Sequence, residues 1–422
     1  MSTEARGATA SSDELPGYEQ AAAIVAGRAE ILARVRPETE RVALGAAAGR
    51  VLAQAVLADS DQPPFARSTR DGFACRAREI STHEFLPVAG ATRAGEAPAS
   101  PLAAGAVWEI MTGAPVPAGA DAVVMVEHVE AMDGRVRLLA PRVLSAGENI
   151  VARAAQARAG DELLSVGASV TYAQIALAAA CGYAELEVFR RPRVAILTTG
   201  DELVAVEAQP GAGQIRNSNA PMLAALVTAA GGEAWVLPTA ADDAAALDEA
   251  LAQAVEADLL LISGGVSAGK FDLVEPAVKR IGARFHFTGV RIQPGKPLVF
   301  GELPRGAGGA VPFFGLPGNP VSSAVTFLLF AAPMLGALAG RRVCGPRFAL
   351  ATLAAETRGK AGLTRFLPAY SDFGMGELPQ VKLVPWQGSG DLAALARSNC
   401  FLVIPEEASG IAAGEMVRIL IS

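Results

Sequence analysis

The chain has 422 residues, a formal net charge of −7 and 51% hydrophobic residues, enough apolar material for several domains. The negative charge, with no run of Lys or Arg to reverse it, argues against a nucleic-acid-binding surface, so an anionic ligand would need backbone N–H groups and a few placed cations. The first fifteen or so residues are small, polar and acidic with no apolar signal segment, which predicts a tail on a cytoplasmic protein.

The cysteines and the longest apolar segment exclude two further classes. Cys75, Cys181, Cys344 and Cys400 are far apart with no CxxC pair, which favours unpaired structural thiols in a reducing compartment. The three histidines are equally scattered, so the sequence indicates neither a His/Cys metal site nor a Ser-His-Asp triad. The apolar run over 324–338 contains a proline and is shorter than the roughly 20 residues that span a bilayer, so it predicts a buried helix and no membrane association.

The first half of the chain predicts a helical segment with a β-rich insertion. Residues 17–35 are expected to form a helix that ends before Pro37, and 44–54 a second, shorter helix. Prolines, glycines and short β-branched runs then dominate to about residue 150. Helical character returns near residue 171, with Gly182 as its C-cap. We therefore expect a tail at 1–15, a discontinuous helical domain at 16–57 plus 151–190, and a β-rich inserted domain at 58–150.

From residue 191 the pattern changes to strands alternating with helices. Over 191–340 this alternation predicts a doubly wound parallel sheet, with Asp242 or Asp243 capping one of its helices. Residues 345–422 are β-rich again and predict a compact barrel or sandwich. The predicted fold class is thus a multidomain α/β protein, with a doubly wound domain between a helical and β-rich N-terminal module and a C-terminal β-barrel.

Four loops of the α/β region are predicted at the carboxyl ends of its strands, where open α/β sheets bind ligands. Gly264 and Gly265 allow close approach to the backbone, and the N–H groups around Ser267 can hold an oxyanion. Lys296 adds a positive charge, and the LPGNP segment begins a helix whose N-terminus attracts anions. The loops are GDEL (200–203), GGVSAGKFD (264–272), QPGKP (293–297) and LPGNPVSS (316–323).

Acidic residues in the same loops are hard oxygen ligands suited to Mg²⁺. They are Asp201, Glu202 and Asp272. Taken singly, each feature has an ordinary interpretation as a tight turn, a cap or a solvated charge. Their convergence at one sheet edge favours a site for a phosphorylated small molecule with a divalent cation.

Three residues outside that sheet stand in distinctive stretches, although each has an ordinary interpretation as a turn, a hairpin loop or a helix cap. Asp71 lies in RSTRDGFA, Thr112 in IMTGAPVPAGADAVV, and Ser389 in QGSGDLAALARSNCFLVIPEE. In their order along the chain, these stretches resemble the molybdopterin molybdenumtransferase family, known as MoeA and related to the E domain of gephyrin. The other matching stretches are AAGRVLA, PPFARSTRDGFA, ILTTGDEL, GQIRNSN, ISGGVSAGKFDLV, IQPGKPLVFG and GLPGNPVSS. The matching stretches cover nearly the whole chain after its first residues.

The resemblance implies a four-domain elongated homodimer with its active site in a cleft between the α/β domain of one subunit and domains of its partner. The implied reaction takes adenylylated molybdopterin and molybdate, with Mg²⁺, and yields molybdenum cofactor and AMP. Other implied partners are the molybdopterin adenylyltransferase and proteins that mature molybdoenzymes.

The family's site residues carry over by motif onto this sequence. As roles, the resemblance suggests that Glu202 and Asp272 hold Mg²⁺ or orient the pterin, and that Lys296 offsets oxyanion charge. Asp71 and Thr112 would come from the partner subunit. Implied active-site positions are Asp71, Thr112, Glu202, Asp242 and Asp272, and implied substrate-binding positions are Gly264, Gly265, Ser267, Lys296, Pro317, Gly318, Asn319, Pro320 and Ser389.

Departures from the family pattern keep an alternative open. Gln156 stands where an active-site aspartate of an Arg-x-x-Gly-Glu-Asp stretch is expected, Gln293 where a basic residue often precedes PGKP, and Pro368 where many relatives have arginine. The alternative is a non-catalytic molybdopterin or cofactor carrier, or a scaffold. An adenylyltransferase is disfavoured because it would have GGTG at residues 264–267, and a competence-damage-type nucleotide hydrolase because of LPGNP and RSTRDGFA.

Overall fold

Three six-stranded sheets and several two-stranded ribbons form the framework of the computed structural model. The structure describes residues 15–34, 37–82, 84–140, 142–241, 243–265, 274–306, 309–342, 344–372 and 378–422. Three residues predicted for the site, Asp242, Ser267 and Asp272, lie outside these ranges. All four cysteines are free thiols, as predicted, and Cys344 is the exposed one.

The N-terminal segment begins with the predicted helix, but the prediction of a second helix over 44–54 is wrong. A single 3₁₀ turn (Leu44–Ala46) stands there, and Val51 and Leu52 then pair as isolated β-bridges with Ser169 and Val188. Gly49 has φ +75°, a conformation that ends a helix, and Val51 and Leu52 are both buried. The elements are α1 (Tyr18–Leu32), β1 (Thr39–Ala43) and β2 (Val56–Leu57).

A mixed sheet of strand order β7-β4-β6-β5-β9-β8 lies within the region predicted as a β-rich insertion. Two further short strands of this region pair with each other and bring residues 67–68 beside 150–151. The elements are β3 (Arg67–Ser68), β4 (Gly72–Cys75), α2 (Ala77–Ile80), β5 (Leu86–Thr92), β6 (Val107–Ile110), β7 (Ala122–Met125), β8 (Val129–Met132), β9 (Arg135–Leu138) and β10 (Ile150–Val151).

After the insertion the chain returns to its first segment. Strand β11 (Glu162–Leu164) pairs with β2, and β12 (Glu185–Phe189) pairs with β1. Between them α3 (Tyr172–Ala180) begins at a Thr171 capping box, and Gly182 has φ +80° at its end. This returning unit mixes ribbons with one helix, so it is less helical than predicted.

The α/β region forms the expected doubly wound domain, but its sheet is not wholly parallel. Its order is β16-β13-β17-β21-β20-β18, of which the first four strands are parallel and the last two antiparallel to their neighbours. The connection between β20 and β21 is too short for the crossover that parallel strands need. The elements are β13 (Arg193–Thr198), β14 (Leu203–Val204), β15 (Ile215–Arg216), α4 (Asn219–Ala229), β16 (Glu233–Val236), α5 (Ala244–Ala254), β17 (Leu259–Ser263), α6 (Val274–Arg280), β18 (Arg284–Phe287), β19 (Ile292–Gln293), β20 (Val299–Arg305), β21 (Gly309–Leu316), α7 (Pro320–Thr326) and α8 (Ala332–Leu338).

Apolar side chains cover both faces of this sheet. One face packs against α5 and α6, and the other against α1, α4 and the long helix formed by α7, a π-turn (Phe327–Ala331) and α8. By length and hydropathy Pro320–Leu338 could cross a membrane, but 78% of that window is buried inside the protein. It has the burial of a core helix, as predicted from the apolar run.

The C-terminal region is a barrel, as predicted. Strands β24-β25-β22-β28-β26 follow one another, and a further pairing of β24 with β26 closes the ring. Its Phe366 and Phe401 belong to the same apolar core as α1 and the central sheet, and the Tyr18 ring lies 5.4 Å from that of Phe366. The elements are β22 (Phe348–Leu353), β23 (Thr357–Arg358), β24 (Thr364–Asp372), β25 (Gln380–Leu383), α9 (Leu392–Arg397), β26 (Cys400–Ile404), β27 (Gly410–Ile411) and β28 (Met416–Ile421).

Helix α1 thus packs on the central sheet, although the sequence grouped it with the discontinuous helical domain. The predicted domain boundaries stay predictions. A two-pronged ion pair attaches the helix: Arg28 Nε lies 2.6 Å from Glu302 Oε1 and Nη2 lies 2.7 Å from Oε2. Burial alone would raise the pKa of Glu302, but hydrogen bonds and charge from Arg28, with a contribution from His286, bring it below its usual value.

Replacing Arg28 with methionine is expected to lower the free energy of unfolding by about 3 kcal/mol at pH 7, because Glu302 would remain buried without its cation. A carboxyl with a lowered pKa stabilises the fold above its unfolded pKa, about 4.3, and loses that contribution as the pH falls through its folded pKa. The difference between the two proteins should therefore shrink in acid. Urea unfolding at pH 7 and near pH 4 tests this. The control Lys279→Met breaks an exposed i,i+4 pair with Glu275 and should cost less than about 0.5 kcal/mol.

Candidate functional site

The predicted loops meet at one edge of the central sheet. The segments after β13, β17 and β21 all leave the carboxyl ends of parallel strands. QPGKP precedes the antiparallel strand β20, whose first residue Val299 pairs with Gly315 near the end of β21. The start of β20 therefore lies at the same edge as the described parts of the other three loops.

Glycines let the backbones of three of these loops approach closely. A β-carbon on Gly264 would lie 2.4 Å from the carbonyl oxygen of Thr199, and one on Gly265 would lie 3.0 Å from the Thr199 hydroxyl. Gly264 and Gly265 have φ +101° and +59°, which favour glycine. A β-carbon on Gly318 would lie 3.8 Å from Gly264 Cα, so the GG and LPGNP loops are in contact.

A side chain from the start of α4 joins these loops. Asn219 Nδ2 donates to Ser263 Oγ at 2.9 Å and to the Gly318 carbonyl oxygen at 2.7 Å. Asn219 Oδ1 and Thr199 Oγ1 are buried and have no hydrogen-bond partner among the described residues. Neither residue has a role in the sequence prediction, because GQIRNSN entered only as a matching stretch and ILTTGDEL contributed only its acidic residues.

The barrel reaches the same edge through Ser389. Asn319 Nδ2 donates to Ser389 Oγ at 2.8 Å, and the N–H of Val321 donates to the Ser389 carbonyl oxygen at 3.0 Å. Pro320 has no N–H, and the Val321 N–H is already bonded to Ser389. Fewer backbone donors are therefore left at this helix N-terminus for the anion binding that the sequence predicted. Pro317 also contributes through its carbonyl oxygen, which accepts from the Ser323 hydroxyl.

Two charged residues predicted for the site are exposed at this edge. The Glu202 carboxylate folds over Gly200, where a β-carbon would lie 2.6 Å from Oε2. Lys296 has no ion pair within the described ranges, while its carbonyl oxygen accepts from the N–H of Val290 at 2.9 Å. Among the described residues no three His, Cys, Asp or Glu side chains group as metal ligands. Glu202 with Asp272 as Mg²⁺ ligands stays a prediction, since Asp272 lies outside those ranges.

Asp71 and Thr112 lie together in the inserted domain. The Thr112 N–H donates to Asp71 Oδ1 at 2.6 Å, and this hydrogen bond is the main reason that the pKa of Asp71 lies below its usual value. Gly72 is required next to it, because a β-carbon there would lie 1.9 Å from the Val124 carbonyl oxygen. Within the described part of the chain, no hydrogen bond or ion pair connects Asp71 to the sheet-edge loops.

Residues 153–156, where the sequence departs from the family pattern, make an ion pair and a hydrogen bond within the protein. Arg153 Nε is 2.7 Å from Asp61 Oδ2, so its charge is already paired. The Gln156 N–H donates to the Gln62 carbonyl oxygen at 2.8 Å. Ala154 has φ +60°, which matches a position where the family pattern has glycine.

Asp243 is the helix cap that the sequence left undecided between two aspartates. Its Oδ1 accepts from the N–H groups of Ala245 and Ala246, both at 2.9 Å. This is an ordinary N-cap and accounts for Asp243 without a catalytic role.

Family models and known relatives match this chain along nearly its whole length. The model "MoeA N-terminal region (domain I and II)" matches residues 17–182, "Probable molybdopterin binding domain" matches 195–337, and "MoeA C-terminal region (domain IV)" matches 351–421. A molybdopterin molybdenumtransferase of Nostoc sp. is 34% identical over 91% of this chain and 88% of its own length. Molybdopterin molybdenumtransferase 2 of Mycobacterium tuberculosis is 38% identical over 93% and 96%.

Solved structures agree with this result. The molybdopterin biosynthesis moeA protein of Pyrococcus horikoshii OT3 has a TM-score of 0.79 and 28% identity, covering 97% of this chain and all of that one. The three family regions follow one another along this chain and together cover most of it. This chain therefore belongs to the MoeA family of molybdopterin molybdenumtransferases.

Proposed function

We propose that this protein transfers molybdenum from molybdate to adenylylated molybdopterin, with release of AMP and formation of molybdenum cofactor. The observation that carries the proposal is the convergence of the GDEL, GG, QPGKP and LPGNP loops at one sheet edge, joined there by Ser389 from the barrel. Membership of the family supports the same substrate class.

The described residues support binding and orientation of a large, polar ligand. Gly264 and Gly265 let the GG loop pack closely against Thr199 and the LPGNP loop, and Lys296 is an exposed cation in the QPGKP loop. Mg²⁺, when bound, would act as a Lewis acid on the phosphoanhydride. A single protein carboxylate such as Glu202, with the substrate's phosphates, is the kind of ligand set that Mg²⁺ accepts.

We also propose a cytoplasmic homodimer in which Asp71 and Thr112 complete the site of the partner subunit. The support is that this pair presents an exposed, ionised carboxylate with no link to the sheet-edge loops of its own chain among the described residues. A fixed carboxylate of this kind orients a donor group on the substrate. It has a pKa below its usual range and is therefore poorly suited to act as a proton donor.

Single-turnover conversion of adenylylated molybdopterin with molybdate and Mg²⁺ tests the function. AMP release and cofactor formation should rise together and depend on molybdate, and chelation of Mg²⁺ should stop both. Asp71→Asn keeps an oxygen for the Thr112 N–H but removes the charge, and we expect about a tenfold to hundredfold slower turnover. The matched control is Asp121→Asn, because Asp121 Oδ1 accepts from the Ala77 N–H at 2.6 Å in the same domain, and its turnover should be unchanged.

A carrier is the second candidate, favoured by Ala155 and Gln156 in place of the acidic pair of the family pattern. These changes remove negative charge from the segment where the family pattern has it. Tight pterin binding without AMP release at any molybdate concentration would reject the transferase and support the carrier.

The contact between the barrel and the LPGNP loop gives a further prediction. Ser389→Ala removes the acceptor of Asn319 Nδ2 while the backbone contact to Val321 remains. We expect KM for adenylylated molybdopterin to rise about tenfold, the effect of roughly one hydrogen bond, with little change in thermal stability. Ser398→Ala is the control, because its hydroxyl caps α9 through the Leu395 carbonyl oxygen. Equal effects of the two substitutions would contradict a role for Ser389 at the site.

A further inference from the structure

Two neighbouring asparagines at the start of α4 use their side chains differently. Asn217 Nδ2 donates to the hydroxyls of Thr198 and Thr239, at 2.8 and 3.1 Å, and its Oδ1 accepts from the Ala220 N–H at 3.1 Å. All of its polar atoms are engaged, as expected of a structural asparagine. Asn219 Nδ2 also donates twice, but its buried Oδ1 accepts no hydrogen bond from any described residue.

The orientation of the Asn219 amide is fixed by its neighbours. Reversing it would place Oδ1 at 2.7 Å from the Gly318 carbonyl oxygen, and two acceptors at that distance repel. The amide oxygen therefore stays on the side where it has no donor. A buried acceptor without a partner destabilises the protein, and a ligand with a suitable donor would remove that cost.

A second buried oxygen lies at the same junction. Thr199 is 3% exposed, and its Oγ1 has no hydrogen-bond partner among the described residues. It lies against Gly264 and Gly265, and Gly264 is in turn next to Gly318, to which Asn219 is bonded. The junction of the GG and LPGNP loops therefore has one unpaired oxygen that can only accept, on Asn219, and one hydroxyl, on Thr199, that can accept or donate.

The Asn219 amide oxygen can only accept, so its partner on the substrate must be an N–H or O–H group. A phosphate dianion offers acceptors only and is excluded. Of the donors that remain, on the pterin, the ribose and the adenine, the pterin is favoured because this region matches a probable molybdopterin binding domain. The exocyclic amino group of a pterin ring offers N–H donors only. We infer that Asn219 is a specificity-determining residue that accepts a hydrogen bond from the exocyclic amino group of the pterin, with Thr199 beside it. This inference rests on the proposed function and assigns the heterocycle, rather than the phosphates, to the junction of the GG and LPGNP loops.

The test compares binding of 6-hydroxymethylpterin with that of its 2-oxo counterpart, 6-hydroxymethyllumazine, to the full-length protein by fluorescence anisotropy. Unsubstituted protein should prefer the amino compound about tenfold, the effect of about one hydrogen bond. Asn219→Ala should abolish that preference. Asn219→Asp loses the donations to Ser263 and Gly318 but keeps an acceptor, so it should bind both compounds more weakly and still prefer the amino compound. A purely structural asparagine would change affinity for both compounds without changing the ratio.

Asn399→Ala is the matched control, since Asn399 makes two hydrogen bonds to the backbone of Ser371 inside the barrel, and it should keep the full preference. Thr199→Val provides a second variant if Asn219→Ala does not fold, and should lower the preference. No preference in the unsubstituted protein, binding of neither compound, or an unchanged ratio in Asn219→Ala would overturn the inference. If molybdate-dependent AMP release persists in that case, the assignment of the amino group alone has failed; if turnover is also absent, the proposed function has failed with it.

Discussion

The close approach of backbones at Gly264 is the constraint on which the rest of the site depends. Strand β17 ends there, and the Thr199 carbonyl oxygen lies 2.4 Å from where a β-carbon would stand. A left-handed φ of +101° adds a second reason for glycine. Because no side chain intervenes, the loops after β13 and β21 approach from both sides, and Asn219 can bond to both Ser263 and Gly318. Any larger residue at this position would force these loops apart.

The barrel is held to this edge by two interactions of different kinds. Apolar contacts among Tyr18, Phe366 and Phe401 place α1, the central sheet and the barrel in one core, and burial of this size dominates the free energy of association. The hydrogen bond from Asn319 to Ser389 adds little to stability but fixes the orientation of the LPGNP loop relative to the barrel. Apolar packing therefore positions the barrel, and the hydrogen bond between Asn319 and Ser389 brings the barrel into the candidate site.

The inserted domain contributes in another way. The Thr112 N–H donates to the Asp71 carboxylate within the same domain. The carboxylate is therefore oriented without a partner subunit or a bound substrate. Arg153 forms an ion pair with Asp61, and the acidic pair expected after it is replaced by Ala155 and Gln156. The proposed contribution of the inserted domain to the site therefore rests on Asp71 and Thr112.

The amino-acid sequence was enough to predict the alternation of strands and helices over 191–340, the buried helix that contains 324–338, the C-terminal barrel and the sheet edge at which the marked loops meet. These follow from local periodicity, caps and turn residues, which act within a few positions of the chain. It misread 44–54, where Gly49 and the burial of Val51 and Leu52 against distant strands outweighed helix propensity. The tertiary structure was needed for the antiparallel direction of β18 and for the hydrogen-bonding state of Asn219. Its amide bonds to residues 44 and 99 positions away, and whether its oxygen is left unpaired depends on which distant groups the completed fold brings beside it.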